Sequence, residues 1–256
     1  MKYAICRVPV APIRISALHE TEMSSELLFG ECAEILETIN SEWYHISCQH
    51  DGYTGFCQAS QLLEVGESIF NASSKKLIRE WTGSLEWNGI PIHVPMGSMM
   101  TGMENGVARW NENVIKYSGS LWDPANIVRH PELIKKLAME YFNTAYLWGA
   151  RTVYGADCSG FTQMICRFLG INLPRDAWQQ ERIGEKLNSV ADAKCGDLAF
   201  FSDVKGKIIH VGIILDPGKI IHASGRVRID KLTEAGIINH ETGLQNYTLA
   251  SVRSLF

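Results

Sequence analysis

Ala156-Asp157-Cys158-Ser159-Gly160-Phe161, running on through Thr162 to Leu169, decides how the second half of this chain is read. Phe161, Ile165, Phe168 and Leu169 recur at helical spacing, which predicts a helix with a core-facing stripe. Gly170 follows, where a helix takes a left-handed C′ residue. Asp157 stands in front as a ready N-cap. Cys158 therefore falls on the first turn, at the positive end of the helix dipole and beside unpaired N–H groups, a setting that favours thiolate. Taken alone, such a cysteine is either a small buried hydrophobe or a nucleophile.

Two later runs bear on the choice. His210 sits in the apolar run Lys207 to Ile214, and His222 in Lys219 to Ser224, with Asp216-Pro217-Gly218 as a turn between them. The pattern predicts a hairpin that brings the two histidines together. Each histidine alone reads more simply as a core or surface residue. Together, Cys158, His210 and His222 supply a nucleophile, a base and a group to orient the base.

The segment from about Asp123 onward resembles the NlpC/p60 cysteine peptidases, a papain-like group acting on bacterial cell-wall peptides. The stretches that carry the resemblance stand in order: Tyr146-Leu147-Trp148-Gly149-Ala150, Asp157 to Phe161, Leu173-Pro174-Arg175-Asp176-Ala177, Cys195 to Phe201, His210-Val211-Gly212-Ile213 and Ile221-His222-Ala223. Ala150 departs from the pattern where a second glycine is usual, and Ala177 where many relatives have serine. The resemblance implies Cys158 as nucleophile, His210 as base, His222 as the polar third residue and Tyr146 as an oxyanion contact.

Residues 1–65 carry short alternating strands separated by turns, ending in Gly52-Tyr53-Thr54-Gly55-Phe56-Cys57, and are similar to bacterial SH3-like barrels. Residues 66–122 read as a second, divergent barrel or as an insertion packed on the catalytic domain, with Lys75 to Trp81 as an amphipathic turn. Residues 123–256 form the third part. The expected fold is thus α+β, a papain-like NlpC/p60 catalytic domain preceded by one or two small SH3-like β-barrels. Within it, Pro131 to Phe142 reads as a helix and Tyr247 to Arg253 as an edge strand.

Relatives with SH3-like barrels ahead of this domain are γ-D-glutamyl-L-diamino acid endopeptidases. The resemblance therefore implies a muropeptide partner, L-Ala-γ-D-Glu-diamino acid, with a free terminal amine read in a pocket walled off by the N-terminal barrel. It assigns substrate-binding roles to Asp157, Ser159, Glu22 and Tyr53. Arg175 and Asp176 line the D-Glu side or form a structural ion pair. The alternatives are a secreted hydrolase acting on intact wall, a binding module with an inactive catalytic domain, and a related papain-like amidase or acyltransferase.

Composition narrows the field further. The 256 residues are 46% apolar and carry a net charge of −4, with no run of lysine or arginine, so neither nucleic acid nor an anionic membrane surface is an expected partner. Seven scattered cysteines contain no Cys-x-x-Cys and no zinc-finger spacing, which points to reduced thiols and to no metal or other cofactor. Arg7, Pro9 and Arg14 interrupt any signal-peptide core, and no apolar run reaches membrane-spanning length, so the expected location is the cytoplasm.

Overall fold

The structure is a computed structural model that describes residues 1–72 and 75–255. The chain divides into two compact units, Met1–Asn126 and Ile127–Phe256.

The first unit is almost entirely β. Strands β1 (Lys2–Cys6), β2 (Val10–Arg14), β3 (Met23–Leu28), β4 (Cys32–Thr38), β5 (Trp43–Cys48), β6 (Thr54–Gln58) and β7 (Leu62–Val65) form one antiparallel sheet in the order β3-β2-β6-β5-β4-β1-β7. Side chains alternate across it: β2 buries Ala11 and Ile13 and leaves Val10, Pro12 and Arg14 at the margin. Ala4, Cys6, Leu27, Ile46, Cys48 and Cys57 join that buried face.

A single turn, α1 (Glu67–Phe70), leads into β8 (Lys75–Ile78), β9 (Thr82–Trp87), β10 (Ile90–Pro95), β11 (Met99–Thr101), β12 (Val107–Trp110), β13 (Asn113–Lys116) and β14 (Leu121–Trp122). They build two sheets, β10-β9-β13-β12 and β11-β8-β14. The expected amphipathic turn at Lys75 is instead a strand, because Leu77 and Ile78 are both buried and β8 pairs on both sides. The two halves of this unit share a core. Ile5, Phe29 and Cys32 pack with Trp87, Val94, Trp110 and Ile115, and the Phe29 and Trp110 rings lie 5.1 Å apart.

In the second unit α2 (Pro131–Met139) starts with His130 as N-cap, its side chain accepting from Leu133 N, and with proline at N1. It ends before Phe142, and Asn143 is left-handed at φ 67°. A small hairpin, β15 (Arg151–Thr152) and β16 (Gly155–Ala156), delivers the chain into α3 (Cys158–Phe168), followed by α4 (Ala177–Gln180). All eleven residues of α3 are buried, not one stripe only. Its end is a Schellman motif: Gly170 is left-handed at φ 72°, Gly170 N donates to Arg167 O at 3.0 Å and Ile171 N to Cys166 O at 2.9 Å.

Strands β17 (Glu185–Leu187), β18 (Leu198–Ser202), β19 (Ile208–Asp216), β20 (Lys219–Ser224), β21 (Arg226–Thr233), β22 (Gly236–Ile238) and β23 (Gln245–Ser254) follow, in the order β17-β23-β18-β19-β20-β21-β22. The last strand is not an edge. It lies between β17 and β18 and also pairs with β22, so β18 to β23 close into a ring. Phe201, Ile214, Ile220, Leu232, Ile237 and Val252 share one core in this unit. Among the described residues no helix is long and apolar enough to cross a membrane.

Candidate active site

The start of α3 is fixed from three sides. Asp157 is the N-cap, accepting from Gly160 N at 2.7 Å. Its other oxygen accepts from Gly149 N at 2.8 Å. Arg175 spans both oxygens, at 3.0 Å to Oδ1 and 2.5 Å to Oδ2, in a bidentate pair buried from water. Ser159 closes the cluster, accepting from Arg175 at 2.8 Å. Gly160 is required by space, since a Cβ there would stand 2.4 Å from the Ala150 carbonyl oxygen. Cys158 is thereby locked at the first helical position, 7% exposed, and the backbone of Val211, the neighbour of His210, acts on its thiol.

His210 reaches this place through a bulge. Phe201 pairs with His210 but Ser202 pairs with Ile208, so Ile209 is the extra residue and turns outward, 48% exposed. His210 turns inward and is 3% exposed. On the next strand His222 comes alongside because Gly212 has no side chain: a Cβ there would lie 2.8 Å from His222 Cβ. The result is a hydrogen bond of 2.8 Å between His210 Nε2 and His222 Nδ1. Tyr247 on β23 stacks on His210, centroids 4.1 Å apart and planes 9° apart, and its hydroxyl meets Ser224 Oγ at 3.0 Å.

The pair extends to residues that the sequence did not single out. His222 Nε2 lies 3.0 Å from Asp230 Oδ2. Arg228 donates to Asp230 Oδ1 at 3.0 Å, and His240 N donates to the same oxygen at 2.9 Å. Their signal in the sequence is the alternation Arg228, Asp230, Leu232, which puts two charges on the same strand face as an apolar core residue.

Burial works against one expectation of the helix start. Burial, and then the Asp157 charge, push the Cys158 thiol from 9.0 up to about 12. That rise amounts to roughly 4 kcal/mol in favour of the neutral thiol, against about 0.3–1 kcal/mol from a helix N-terminus. Burial also holds the His210 imidazole well below 6.5, with His222 adding to the effect. Both shifts favour the neutral thiol and the neutral imidazole over an ion pair. Burial, with the Cys158 and Asp157 charges behind it, raises the Tyr146 phenol above its usual range, so it stays a neutral donor beside the thiol.

Cys158, His210, His222, Tyr146, Asp157, Ser159 and Arg175 thus occur together in the second unit. Asp157 serves as N-cap and ion-pair member, Arg175 pairs with Asp157, and the nearby Asp176 charge also acts on Arg175. Asp176 is half-buried before α4, where its N–H donates to Gln179 Oε1 at 3.3 Å. Glu22 and Tyr53 lie in the first unit, Glu22 exposed and Tyr53 packed against the β1–β7 core.

Residues 143–245 match the NlpC/P60 family, and residues 13–62 match the bacterial dipeptidyl-peptidase Sh3 domain. The chain carries an NlpC/P60 domain behind a bacterial SH3 domain. Its fold is the one the NlpC/P60 resemblance implied: a crystal structure of an NlpC/P60 family protein from Bacillus cereus ATCC 10987 covers 98% of this chain and 99% of its own at a TM-score of 0.79 and 18% identity. A gamma-D-glutamyl-L-lysine dipeptidyl-peptidase of the same organism is 32% identical over 57% of this chain and 44% of that protein. The dipeptidyl-peptidase 6 of Lysinibacillus sphaericus is 24% identical over 92% of this chain and 93% of that protein. Against the gamma-D-glutamyl-L-lysine dipeptidyl-peptidases of Bacillus subtilis and Bacillus cereus, the match spans less than half of the relative's length, 28% and 44%.

Proposed function

We propose that this NlpC/P60 protein is a cysteine peptidase that hydrolyses the γ-D-Glu–diamino acid bond of cell-wall peptides bearing a free N-terminal L-Ala. The observation that carries this reading is the hydrogen-bonded His210–His222 pair beside a cysteine fixed at a helix start. The names of the dipeptidyl-peptidase relatives supply the substrate class.

The His222 Nδ1 contact directs the Nε2–H of His210 away from the thiol, so the Nδ1 lone pair is the base. As Cys158 Sγ attacks the γ-carbonyl carbon of D-Glu, its proton passes to His210. The developing oxyanion is met by the Cys158 N–H at the helix start and by the Tyr146 hydroxyl. His210 then hands the proton to the departing amine of the diamino acid, leaving a thioester. Water, deprotonated by the same nitrogen, attacks the thioester carbon and releases L-Ala-D-Glu and the free thiol. Proton transfer during attack suits a neutral resting pair, because neither charge is held in the buried site beforehand.

In this reading the enzyme acts in the cytoplasm on short released muropeptides, as a recycling step. The test is mass spectrometry of L-Ala-γ-D-Glu-L-Lys and its meso-diaminopimelate counterpart, beside their N-acetylated forms and intact peptidoglycan. The expected result is L-Ala-D-Glu from the free-amine peptides alone. Cleavage of acetylated peptide and intact wall at equal rates overturns the recycling reading in favour of wall remodelling. No cleavage of any of them overturns the peptidase reading.

A further inference from the structure

We propose that Asp230 is the terminal positioning residue of a four-membered relay, Cys158–His210–His222–Asp230, in which its carboxylate sets the tautomer of both histidines. The inference rests on the peptidase reading for its kinetic consequence and on geometry alone for its structural one.

A carboxylate only accepts hydrogen bonds, so the 3.0 Å contact with Asp230 requires His222 to carry its proton on Nε2. A neutral His222 then presents a bare Nδ1, and the 2.8 Å contact requires His210 to donate from Nε2. That leaves His210 Nδ1 unprotonated, the state a base needs. Without Asp230 the neutral pair has no reason to prefer this arrangement. The reversed one, with protons on His222 Nδ1 and His210 Nδ1, keeps a hydrogen bond between the rings and puts a proton where the lone pair should be.

Asp230 is built to hold this role. It is 3% exposed and ionised, held down to about 2 by its partners against the cost of burial. Arg228 and His240 N bind its Oδ1, and its Oδ2 faces His222 Nε2 and Arg228 Nε, each at 3.0 Å. Arg228 is in turn tied to Asn239 Oδ1 at 2.9 Å and to Glu241 at 3.4 Å, so the carboxylate's charge is balanced within the cluster. From the other elements, Tyr247 faces His210 on β23, and Asp157, Arg175 and Tyr146 surround the thiol on the far side of the relay.

The test uses the full chain with Asp230→Ala and Asp230→Asn. Nitrogen-15 imidazole NMR reads the tautomers of His210 and His222 without reference to any substrate. The wild type is expected to show both rings protonated on Nε2. Asp230→Ala is expected to show a tautomer mixture and a fall in kcat on the order of 10–100-fold with KM within about twofold, the scale of a slightly misplaced catalytic group. Asp230→Asn retains an acceptor oxygen, so it should keep the tautomers and recover part of kcat. It lacks the charge that raises the His222 imidazole, so its acid limb should move to lower pH. Unchanged tautomers in Asp230→Ala, or an acid limb that stays put in Asp230→Asn, overturns the proposal. If Asp230→Ala does not fold, the acid limb of Asp230→Asn decides. If the wild type cleaves no peptide, the peptidase reading fails and the NMR result still decides the relay.

Discussion

Six of the seven cysteines are buried, four in the first unit and Cys158 and Cys166 on α3 of the second. Burial pushes Cys32 and Cys57 in the first unit up to about 12, as it does Cys158 and Cys166. By thiol acidity the two regions are alike, and so are the two ends of α3. What separates Cys158 is its neighbour. Cys57 packs among Ala11, Ile13, Leu27 and Ile46, whereas Cys158 meets the backbone beside His210. In the proposed mechanism, reactivity comes from a positioned base acting on a neutral thiol, not from a thiol already ionised.

The largest effect separates the two cysteines of α3. Cys158→Ala is expected to reduce peptide turnover by about 10⁴-fold or more, the scale seen when a nucleophile is removed. Cys166→Ala is expected to retain turnover while losing about 1 kcal/mol of stability, a typical cost for a buried substitution. Steady-state rates and urea midpoints check both. Equal activity in the two variants would break the comparison.

A second perturbation acts on the base and leaves the thiol alone. Gly212→Ala adds a methyl group 2.8 Å from both His222 Cβ and Ile220 Cδ1. Overpacking of this kind costs about 1–3 kcal/mol. A lower melting temperature is expected, and a larger fall in kcat than Cys166→Ala shows. A Gly212→Ala enzyme with wild-type kcat would mean that the histidine pair tolerates displacement.

The smallest effect is one of pH. The folded state holds His210 and His222 below the ordinary 6.5, both through burial. Above 6.5 both folded and unfolded chains carry neutral imidazoles, and stability does not depend on these groups. Below 6.5 the unfolded chain takes up protons first, so stability falls as pH falls towards the depressed values. Urea midpoints should therefore drop between pH 7 and pH 5, and less steeply in a His210→Ala variant. A midpoint that rises over that interval contradicts the burial argument.

Local signals made much of this site legible. The periodicity of Phe161, Ile165 and Phe168, bracketed by Asp157 and Gly170, placed Cys158 at a helix start. The Asp216-Pro217-Gly218 turn brought His210 and His222 onto adjacent strands. Features that depend on distant packing were not legible. Arg226 to Thr233 alternates charged and apolar residues as a half-solvated strand does, yet Asp230 faces the relay, because β21 is folded back beside His222. Tyr247 to Arg253 has the look of an edge strand, since ring closure by β22 and β17 joins residues far apart in sequence. The pull of burial on the Cys158 thiol also escaped a local reading. A helix start is visible in the sequence, while the burial that outweighs it belongs to the whole fold.

The most direct measurement of the central claim is site-resolved alkylation by iodoacetamide, read by peptide mass spectrometry at all seven cysteines in the wild type and in His210→Ala. The account predicts that Cys158 reacts fastest at pH 7 despite its burial, ahead of the half-exposed Cys195, and that this lead disappears in His210→Ala. A Cys158 that reacts no faster than Cys166, or one that keeps its lead without His210, would contradict it.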